Sequence, residues 1–472
     1  MRPNVILIVL DTARADALEP YGAPAGSTPA IADLALRGQA FDQVHAAASW
    51  TLPSHAAMFT GMLPRATGIL DLPEGTPLAA RATLEAHANR ALPSVLRDAG
   101  YATAAVSTNL WVTAESGFGP GFDRFRFVDT GRQEQMHGAD VRSRLAWDLE
   151  GVRARADDGA QVAGRVLRSW LAEAGERPFF CFVNLVECHS PYLPPKPYND
   201  LGGLDRLRAA QEARRYLTLE GIWRACAGGF DVPDEALARM RHLYARSVRL
   251  MDDWLAGLLE ALDRTGALDE TLVIVTADHG ENFGEGGFMG HCFSLDQRLI
   301  RVPFVIAGPG APADPGVLSL ASLPRLIAET VGLDRHPWAN GLPGPGFAAA
   351  QFEPPAPAGD ARWNEAFDNW EIDRETAAER VGRPLTAATD GRWKLQLRGE
   401  REELYDLVDD PLELQARPPS AGDETAVTAL RRVLAEVTAQ RPVAAAVATS
   451  QPEISDEERR RLEDRMRLLG YM

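Results

Sequence analysis

Short apolar runs recur along the 472-residue chain, and stretches with helical periodicity lie between them. The runs are rich in β-branched residues and bounded by turn residues, which is typical of buried strands. They are VILIVL (5–10), ATAAVST (102–108), FFCFVNLV (179–186), TLVIVTAD (271–278) and VPFVIAG (302–308). Helical periodicity is clearest over 83–100 and 234–266. This alternation predicts an α/β fold with a mostly parallel sheet covered by helices on both faces.

The composition changes near residue 343. Residues 308–316 and 343–362 are rich in Gly, Pro and Ala and have the character of loops, whereas WKLQLR and EELYDL further on predict short antiparallel strands. We therefore divide the chain into a larger domain over 1–342 and a smaller subdomain over 343–472. The last residues, EERRRLEDRMRLLGYM (457–472), predict a charged amphipathic helix.

Charge and composition exclude several classes of function. Lys+Arg 49 against Asp+Glu 66 gives a net charge of −17, which argues against a nucleic-acid or anionic-membrane partner. No apolar stretch reaches the ~18 residues of a membrane span, and the N-terminal run is too short for a signal peptide. We expect a cytoplasmic protein that binds a small molecule. The cysteines lack CxxC spacing and are predicted to be reduced thiols; they are Cys181, Cys188, Cys226 and Cys292.

Two of the predicted strands end at acidic residues. Asp11 follows the first apolar run, and Asp278 and His279 follow the fourth, at the start of DHGENFGEGG. Because ligands gather at the carboxyl edge of a parallel sheet, these oxygen and nitrogen donors make a candidate site for a divalent cation. The alternative is that Asp11 and Asp278 cap the helix or turn that follows each of them.

A third candidate lies in SWTLPSHAAMFTG (49–61). Pro53 disfavours helix before it, and Ser54 suits the start of the helix that follows. A helix N-terminus offers unpaired backbone N–H groups and a positive dipole to an anion. Thr51 is therefore a candidate nucleophile if a metal lowers the pKa of its hydroxyl, and otherwise it is a turn or capping residue.

Several motifs in one order carry a family resemblance. They are VLDTARAD, TLPSHAAMFTG, ECHSPYLPP, TADHGENFGEGGFMGH, RVPFVIAGPG, RWKLQL, EELYDLVDDPLE and the closing RLLGYM. In this order they resemble the sulfatase-like family of the alkaline phosphatase superfamily. The resemblance implies an α/β/α sandwich around a mostly parallel sheet, with a smaller C-terminal α+β subdomain. It also implies that the domain over 1–342 is catalytic, with its active site at the strand ends.

The resemblance assigns roles to individual residues. The implied metal ligands are Asp11, Thr51, Asp278 and His279. Thr51 is also the implied nucleophile. His189 and His291 correspond to catalytic positions that bind the anionic oxygens of the substrate or assist the leaving group. Ser54 and His55 fall where the sulfatase signature has Ser and Arg, so the resemblance places them in the substrate pocket.

The nucleophile position departs from the sulfatase pattern. True sulfatases carry Cys or Ser there and oxidise it to formylglycine, an aldehyde whose hydrate attacks the substrate. The β-carbon of Thr51 bears a methyl group, so the same oxidation would give a ketone. His55 also replaces the arginine of the maturation signature. The formylglycine route is therefore closed to this chain.

The metal site departs from the pattern as well, because Thr12 stands where many sulfatases have a further metal-binding Asp. Fewer oxygen ligands favour Mn²⁺ or Zn²⁺ over Ca²⁺. We expect one ion rather than two, with Glu187 as a partner that orients an imidazole. In a two-ion site Glu187 would be a ligand together with His189 and His291.

Two further residues are predicted to contact the substrate. Asn109 follows the second apolar run at its carboxyl end, where an amide can donate to an anion. Lys394 lies in the C-terminal subdomain, on the strand that in the family approaches the active site.

Three functions are consistent with these residues. Superfamily members with a metal-bound threonine nucleophile act on phosphoesters. The first hypothesis is therefore a metal-dependent phosphoester hydrolase or phosphotransferase with a covalent Thr51 intermediate, acting on a phosphodiester or a phosphonate monoester. The others are a sulfate ester hydrolase with unmodified Thr51 and a non-catalytic binding protein on the same fold. The identity of the anionic ester and the oligomeric state are left open.

Overall fold

The computed structural model describes residues 2–70, 77–132, 136, 140–173, 175, 177–338, 343–356 and 359–442. The helix predicted over 457–472 lies outside these residues. No helix within the described ranges combines the length and the apolar composition that a membrane-spanning helix needs.

The strands, in chain order, are β1 (Asn4–Leu10), β2 (Gln39–Ala40), β3 (Gln43–His45), β4 (Ala102–Ser107), β5 (Arg124–Phe127), β6 (Phe179–Leu185), β7 (Thr271–Thr276), β8 (Asn282–Phe283), β9 (Met289–Gly290), β10 (Phe304–Ala307), β11 (Val317–Ser319), β12 (Ala348–Phe352), β13 (Leu385–Thr389), β14 (Trp393–Arg398) and β15 (Arg401–Asp406). The five apolar runs of the sequence correspond to β1, β4, β6, β7 and β10.

The α-helices, in chain order, are α1 (Pro29–Arg37), α2 (Thr51–Thr60), α3 (Pro64–Thr67), α4 (Pro77–Ala86), α5 (Leu92–Asp98), α6 (Val141–Arg153), α7 (Ala160–Ala172), α8 (Gly203–Tyr216), α9 (Leu219–Cys226), α10 (Asp234–Arg264), α11 (Gln297–Ile300), α12 (Leu323–Thr330), α13 (Ala361–Asn369), α14 (Arg374–Val381) and α15 (Glu424–Ala439). The helix predicted over 234–266 is α10. The helix predicted over 83–100 is broken between α4 and α5, because Pro93 suits the first turn of a new helix rather than a helix interior.

A seven-stranded sheet in the order β2-β10-β7-β1-β6-β4-β5 forms the centre of the molecule. β1 pairs in parallel with both β6 and β7, and β4 pairs in parallel with β6 and β5. β10 pairs antiparallel with both of its neighbours in this sheet, β7 and β2. Every residue of β6 and β7 is buried, as expected for strands covered on both faces. The predicted α/β fold with a mostly parallel sheet is confirmed.

A separate four-stranded antiparallel sheet, β12-β13-β14-β15, lies C-terminal to the predicted boundary at residues 342 and 343. The predicted strands WKLQLR and EELYDL are β14 and β15. Residues 348–352 were predicted to be part of a loop and instead form the buried strand β12. Its sequence, AAAQF, has little intrinsic strand preference, so pairing with β13 decides its conformation. The boundary itself stays a prediction.

A buried ion pair on β14 connects the small sheet to the rest of the molecule. Lys394 Nζ lies 2.8 Å from Glu413 Oε1 and also donates to the Leu295 carbonyl oxygen. The two charged side chains are 1% and 3% exposed. These contacts correct the prediction that Lys394 binds substrate, because its ammonium group is already occupied by a carboxylate inside the protein.

We expect Glu413→Ala to lower the free energy of unfolding by about 3–5 kcal/mol, because it leaves a buried ammonium group without its counter-charge. Urea unfolding measures this change. Glu402→Ala is the matched control: it removes the ion pair with Arg431, whose side chain is 51% exposed, and should cost less than about 1 kcal/mol. Equal losses in the two variants would contradict the prediction.

Candidate active site at the carboxyl edge of the sheet

Two adjacent parallel strands bring the predicted metal ligands together. Asp11 directly follows β1, and Asp278 and His279 follow β7, which pairs with β1 in a register that places Val9 opposite Thr276. One ligand atom from each of the three residues lies within 4.8 Å of the others. All three side chains are buried. The geometry therefore assembles an Asp-Asp-His cluster from two distant segments of the sequence.

Thr51 joins this cluster from a third segment. Its Oγ1 lies 3.3 Å from His279 Nε2, and it is the first residue of α2. The helix was predicted to begin at Ser54 and in fact begins three residues earlier. Pro53 is tolerated there because the N–H groups of the first helical turn have no intrahelical acceptor.

The cluster has the unused donor atoms that a cation requires. His279 Nδ1 donates to the Gly280 carbonyl oxygen at 3.0 Å, which leaves the Nε2 lone pair of the neutral ring available. Asp11 Oδ1 and Asp278 Oδ2 are buried and have no hydrogen-bond partner among the described residues. Two carboxylate oxygens, an imidazole nitrogen and a hydroxyl are a donor set that fits a divalent cation.

The pKa values within the cluster reflect burial and like charge. Burial and the neighbouring Asp278 carboxylate raise the pKa of Asp11 to about 7. Burial also opposes the charged forms of Asp278 and His279, but their mutual attraction outweighs it. This attraction lowers the pKa of Asp278 and raises the pKa of His279 to about 9. The cluster therefore holds protons at neutral pH where a bound cation would supply the positive charge.

A buried polar network holds the cluster in position. Asn109 Nδ2 donates to Asp11 Oδ2 at 2.7 Å. Asn184 Nδ2 lies 3.1 Å from His55 Nε2, and His55 Nδ1 lies 2.9 Å from the Thr51 carbonyl oxygen. Burial lowers the pKa of His55, which is consistent with a neutral ring that donates from Nδ1. Asn109 thus positions Asp11, and its predicted contact with substrate stays a prediction.

These contacts correct the roles expected of Ser54 and His55. Ser54 Oγ donates to the Asp278 carbonyl oxygen at 2.6 Å. The side chains of Ser54 and His55 are both buried. Both residues hold the backbone of the site instead of lining the substrate pocket. Sequence reasoning missed Asn184, although a polar residue within the apolar run FFCFVNLV was an available signal.

Three imidazole rings form a row beside the cluster. The ring of His291 lies 4.6 Å from that of His279 and 5.0 Å from that of His189, measured between centroids. His291 Nδ1 is 3.0 Å from Glu281 Oε1, and the Glu281 carboxylate is fully buried. His189 and His291 are half-buried, so both remain accessible to a ligand.

Glu281, and not Glu187, orients an imidazole. Glu187 accepts hydrogen bonds from the backbone N–H groups of Asp158 and Ala160 at 3.0 and 2.9 Å, where α7 begins. The prediction that Glu187 orients a histidine is therefore wrong, because both of its oxygens are used by the helix start. Glu281 was overlooked although it is the last residue of the DHGE motif.

Thr12, which stands where many sulfatases have a further metal-binding Asp, also lies beside the cluster. Its backbone N–H donates to Asp278 Oδ1 at 3.2 Å, and Tyr244 donates to its carbonyl oxygen at 2.9 Å. Its φ of 60° is unusual for a β-branched residue. The two backbone hydrogen bonds offset the strain of this conformation and keep the turn after β1 closed around Asp278.

Comparison with known proteins identifies relatives across most of the chain. The family model described as Sulfatase matches residues 3–331. The choline-sulfatase of Rhizobium meliloti (strain 1021) is 24% identical over 91% of this chain and 86% of its own length. An arylsulfatase of Clostridium perfringens is 24% identical over 66% of this chain and 69% of its own length. The phosphonate monoester hydrolase of Agrobacterium radiobacter has a similar fold, with a TM-score of 0.63, 20% identity, and coverage of 93% of this chain and 96% of its own.

We expect Asp278→Asn to weaken binding of Mn²⁺ by at least about 100-fold, since loss of even an outer partner of a metal ligand costs 10–100-fold. Calorimetric titration of the chelator-treated protein measures the affinity. Asp252→Asn is the matched control, because Asp252 is another buried carboxylate but accepts from the backbone of Ile31 and Ala30. An unchanged affinity in Asp278→Asn would place the cation elsewhere.

We expect the Asp-Asp-His cluster to make the metal-free protein less stable as the pH rises from about 4 to about 9. Asp11 has a folded pKa of about 7 against an ordinary 3.8, so its contribution falls as the pH rises from about 4 to about 7. His279 has a folded pKa of about 9 against an ordinary 6.5, so the stability it supplies below 6.5 is lost toward pH 9. Thermal melts with chelator measure the trend, and Asp11→Asn should make it shallower. Stabilisation by added Mn²⁺ should instead grow with pH.

Proposed function

This chain belongs to the sulfatase family of the alkaline phosphatase superfamily, and we propose that it hydrolyses phosphoesters through a covalent intermediate on Thr51. Membership makes it a hydrolase of sulfate or phosphate esters. The finer proposal depends on one observation: the residue at the nucleophile position is a threonine, with Oγ1 3.3 Å from His279 Nε2 in the Asp-Asp-His cluster.

The preferred substrates in this proposal are phosphodiesters or phosphonate monoesters. A threonine hydroxyl cannot become the aldehyde hydrate that sulfatases use, so it attacks as an oxygen nucleophile in its own right. Phosphonate monoester hydrolases and sulfatases both have a similar fold, so the fold is compatible with a phosphorus centre. Transfer of the phosphoryl group to an acceptor alcohol, in place of water, is the same reaction with a different second substrate.

The Thr51 side chain carries the first step. The hydroxyl loses its proton and its oxygen forms a bond to phosphorus, while the bond between phosphorus and the leaving-group oxygen breaks. The leaving-group oxygen takes up one proton, which balances the proton that Thr51 loses. A divalent cation, when bound by Asp11, Asp278 and His279, lowers the pKa of a hydroxyl that it contacts and offsets charge on the phosphoryl oxygens. His55 holds the Thr51 carbonyl oxygen, so the start of α2 keeps this hydroxyl at the cluster.

The imidazoles of His291 and His189 provide hydrogen-bond and proton donors for the leaving group and the anionic oxygens. His291 in its protonated form donates from Nδ1 to the Glu281 carboxylate, which favours that form, and from Nε2 to the departing oxygen. His189 lies next to it and supplies a further donor for the anionic oxygens. In the second step water attacks phosphorus, the bond between Thr51 Oγ1 and phosphorus breaks, and the threonine hydroxyl is restored.

The cation in this proposal is a single Mn²⁺ or Zn²⁺ ion. Two carboxylates, one imidazole and one hydroxyl provide few oxygen ligands for Ca²⁺, which takes six to eight. His189 and His291 are then free for the substrate, since Glu281 provides the carboxylate that orients His291.

A sulfate ester hydrolase with unmodified Thr51 is the competing proposal. The observation in its favour is the 91% coverage of this chain by its match to a choline-sulfatase. Sulfate and phosphate esters share a tetrahedral anionic centre, so the same donors serve both. A phosphodiester, a phosphonate monoester and a sulfate ester each carry one negative charge, so the two proposals differ in the central atom and in whether that atom retains a second organic substituent.

A panel of 4-nitrophenyl esters should separate the proposals. With Mn²⁺ or Zn²⁺ added, we expect the phosphodiester and the phosphonate monoester to be hydrolysed with a higher kcat/KM than the sulfate ester. Thr51→Ala should lower turnover by at least about 1,000-fold, as loss of a covalent nucleophile does in other hydrolases. Release of 4-nitrophenol measures each reaction.

Thr51→Ser is the matched control, because it keeps the hydroxyl and should retain measurable turnover. After a rapid acid quench, the intact mass of the Thr51 peptide should show one added phosphoryl or phosphonyl group. Faster hydrolysis of the sulfate ester, or full activity in Thr51→Ala, would overturn the proposed function.

A further inference from the structure

Two tryptophans adjoin the nucleophile and take no part in the chemistry described above. Trp50 directly precedes Thr51, and its ring lies 5.7 Å from that of Trp111, edge to face at 87°. The backbone N–H of Trp111 donates to Asn109 Oδ1 at 2.7 Å. Both tryptophans are half-buried, so each residue keeps part of its surface exposed to solvent.

The contacts place this tryptophan pair on a particular part of the cluster. Asn109, which holds Trp111 through Oδ1, holds Asp11 through Nδ2 at 2.7 Å. Trp50 is joined covalently to Thr51, whose Oγ1 contacts His279. The pair is therefore linked to the cluster through the backbone next to Thr51 and through Asn109, whereas the row of imidazoles adjoins it through His279. The residues next to the cluster thus include an apolar aromatic pair and a polar row of rings.

The tryptophan pair and the row of imidazoles suit different parts of a substrate. In an in-line displacement the leaving oxygen departs opposite the nucleophile and needs a proton donor, which the imidazoles provide. Any substituent that phosphorus retains projects sideways between these directions. Indole faces offer such a substituent a large apolar contact, and aromatic rings stack on them with additional affinity.

We propose that Trp50 and Trp111 bind an aromatic substituent that phosphorus retains during the reaction, and so select aryl phosphodiesters and aryl phosphonate monoesters. This inference rests on the proposed function, because it specifies the substrate class of the same site. Sulfate esters and phosphate monoesters retain no organic substituent, so the tryptophan pair has nothing to bind in them. The pair gives a physical reason for a preference among the esters that the family hydrolyses.

Two diesters with one leaving group test the inference. Bis(4-nitrophenyl) phosphate and methyl 4-nitrophenyl phosphate carry the same charge and release the same phenol, but phosphorus retains an aryl group in one and a methyl group in the other. We expect the aryl-to-methyl ratio of kcat/KM to fall at least about 10-fold in Trp111→Ala and in Trp50→Ala. A ratio unchanged from wild type in both variants would overturn the inference.

Trp170→Ala is the matched control, because Trp170 is also a half-buried tryptophan but lies near the end of α7. It should keep the wild-type ratio and the wild-type turnover. A fall in the ratio equal to that of Trp111→Ala would show a general loss of packing and would also overturn the inference. Thermal melts and Mn²⁺ titration of each variant establish that the fold and the cluster are intact.

A binding measurement separates this inference from the proposed reaction. Phenylphosphonate and methylphosphonate are titrated calorimetrically into the Mn²⁺-loaded protein, which requires no turnover. We expect phenylphosphonate to bind at least about 10-fold more tightly in wild type, and Trp111→Ala to remove the difference. This result in a protein that hydrolyses no phosphodiester would support the aryl site while the proposed reaction fails. Equal affinities in wild type would overturn the aryl site even if phosphodiesters are hydrolysed.

Discussion

The carboxylates of Asp11 and Asp278 lie together in the protein interior, and the rest of the site is organised around that contact. They come from β1 and β7, which are neighbours at the centre of the sheet. Two buried like charges are costly unless a positive charge compensates them. His279 offsets one of them, and a divalent cation would offset both while using oxygens that have no hydrogen-bond partner among the described residues. A bound cation would therefore make the burial of two carboxylates less costly.

The precision of the site comes from hydrogen bonds to groups that do not react. Asn109 holds Asp11, His55 holds the start of α2, and Glu281 holds His291. Each of these partners is buried, so it loses little freedom when a substrate arrives. The cost of burying so many polar groups is offset because they satisfy one another. The parallel sheet supplies the rigid frame on which this network is built.

Sulfate and phosphate esters present similar tetrahedral anions, which explains how one fold serves hydrolases of both. In our proposal, discrimination depends on the nucleophile Thr51 and on nearby side chains, which are the half-buried imidazoles of His189 and His291 and the indoles of Trp50 and Trp111. A threonine at this position cannot be oxidised to formylglycine, and the indoles are proposed to bind an organic substituent. Under this proposal, family membership and substrate preference are determined by different residues.

Much of the fold could be read from local patterns. The strands β1, β4, β6, β7 and β10 were predicted because strands covered on both faces need continuous apolar residues. The strand β12 was missed because AAAQF gains its conformation from pairing with β13 and not from its own composition. The helix start at Thr51 was misplaced because the tolerance for Pro53 depends on its position within the first turn.

The sequence by itself determined which chemical groups the site contains: Asp11, Thr51, Asp278 and His279 stand in motifs with donor atoms suited to a cation. Only the tertiary structure decided which supporting residues face them. Glu187 and Glu281 both lie near a histidine in the sequence, yet one caps a helix and the other orients His291. Lys394 is a plausible anion-binding residue by type, and the fold pairs it with Glu413. Hydrogen-bond partners are chosen by proximity in three dimensions, which residue type and spacing along the chain do not specify.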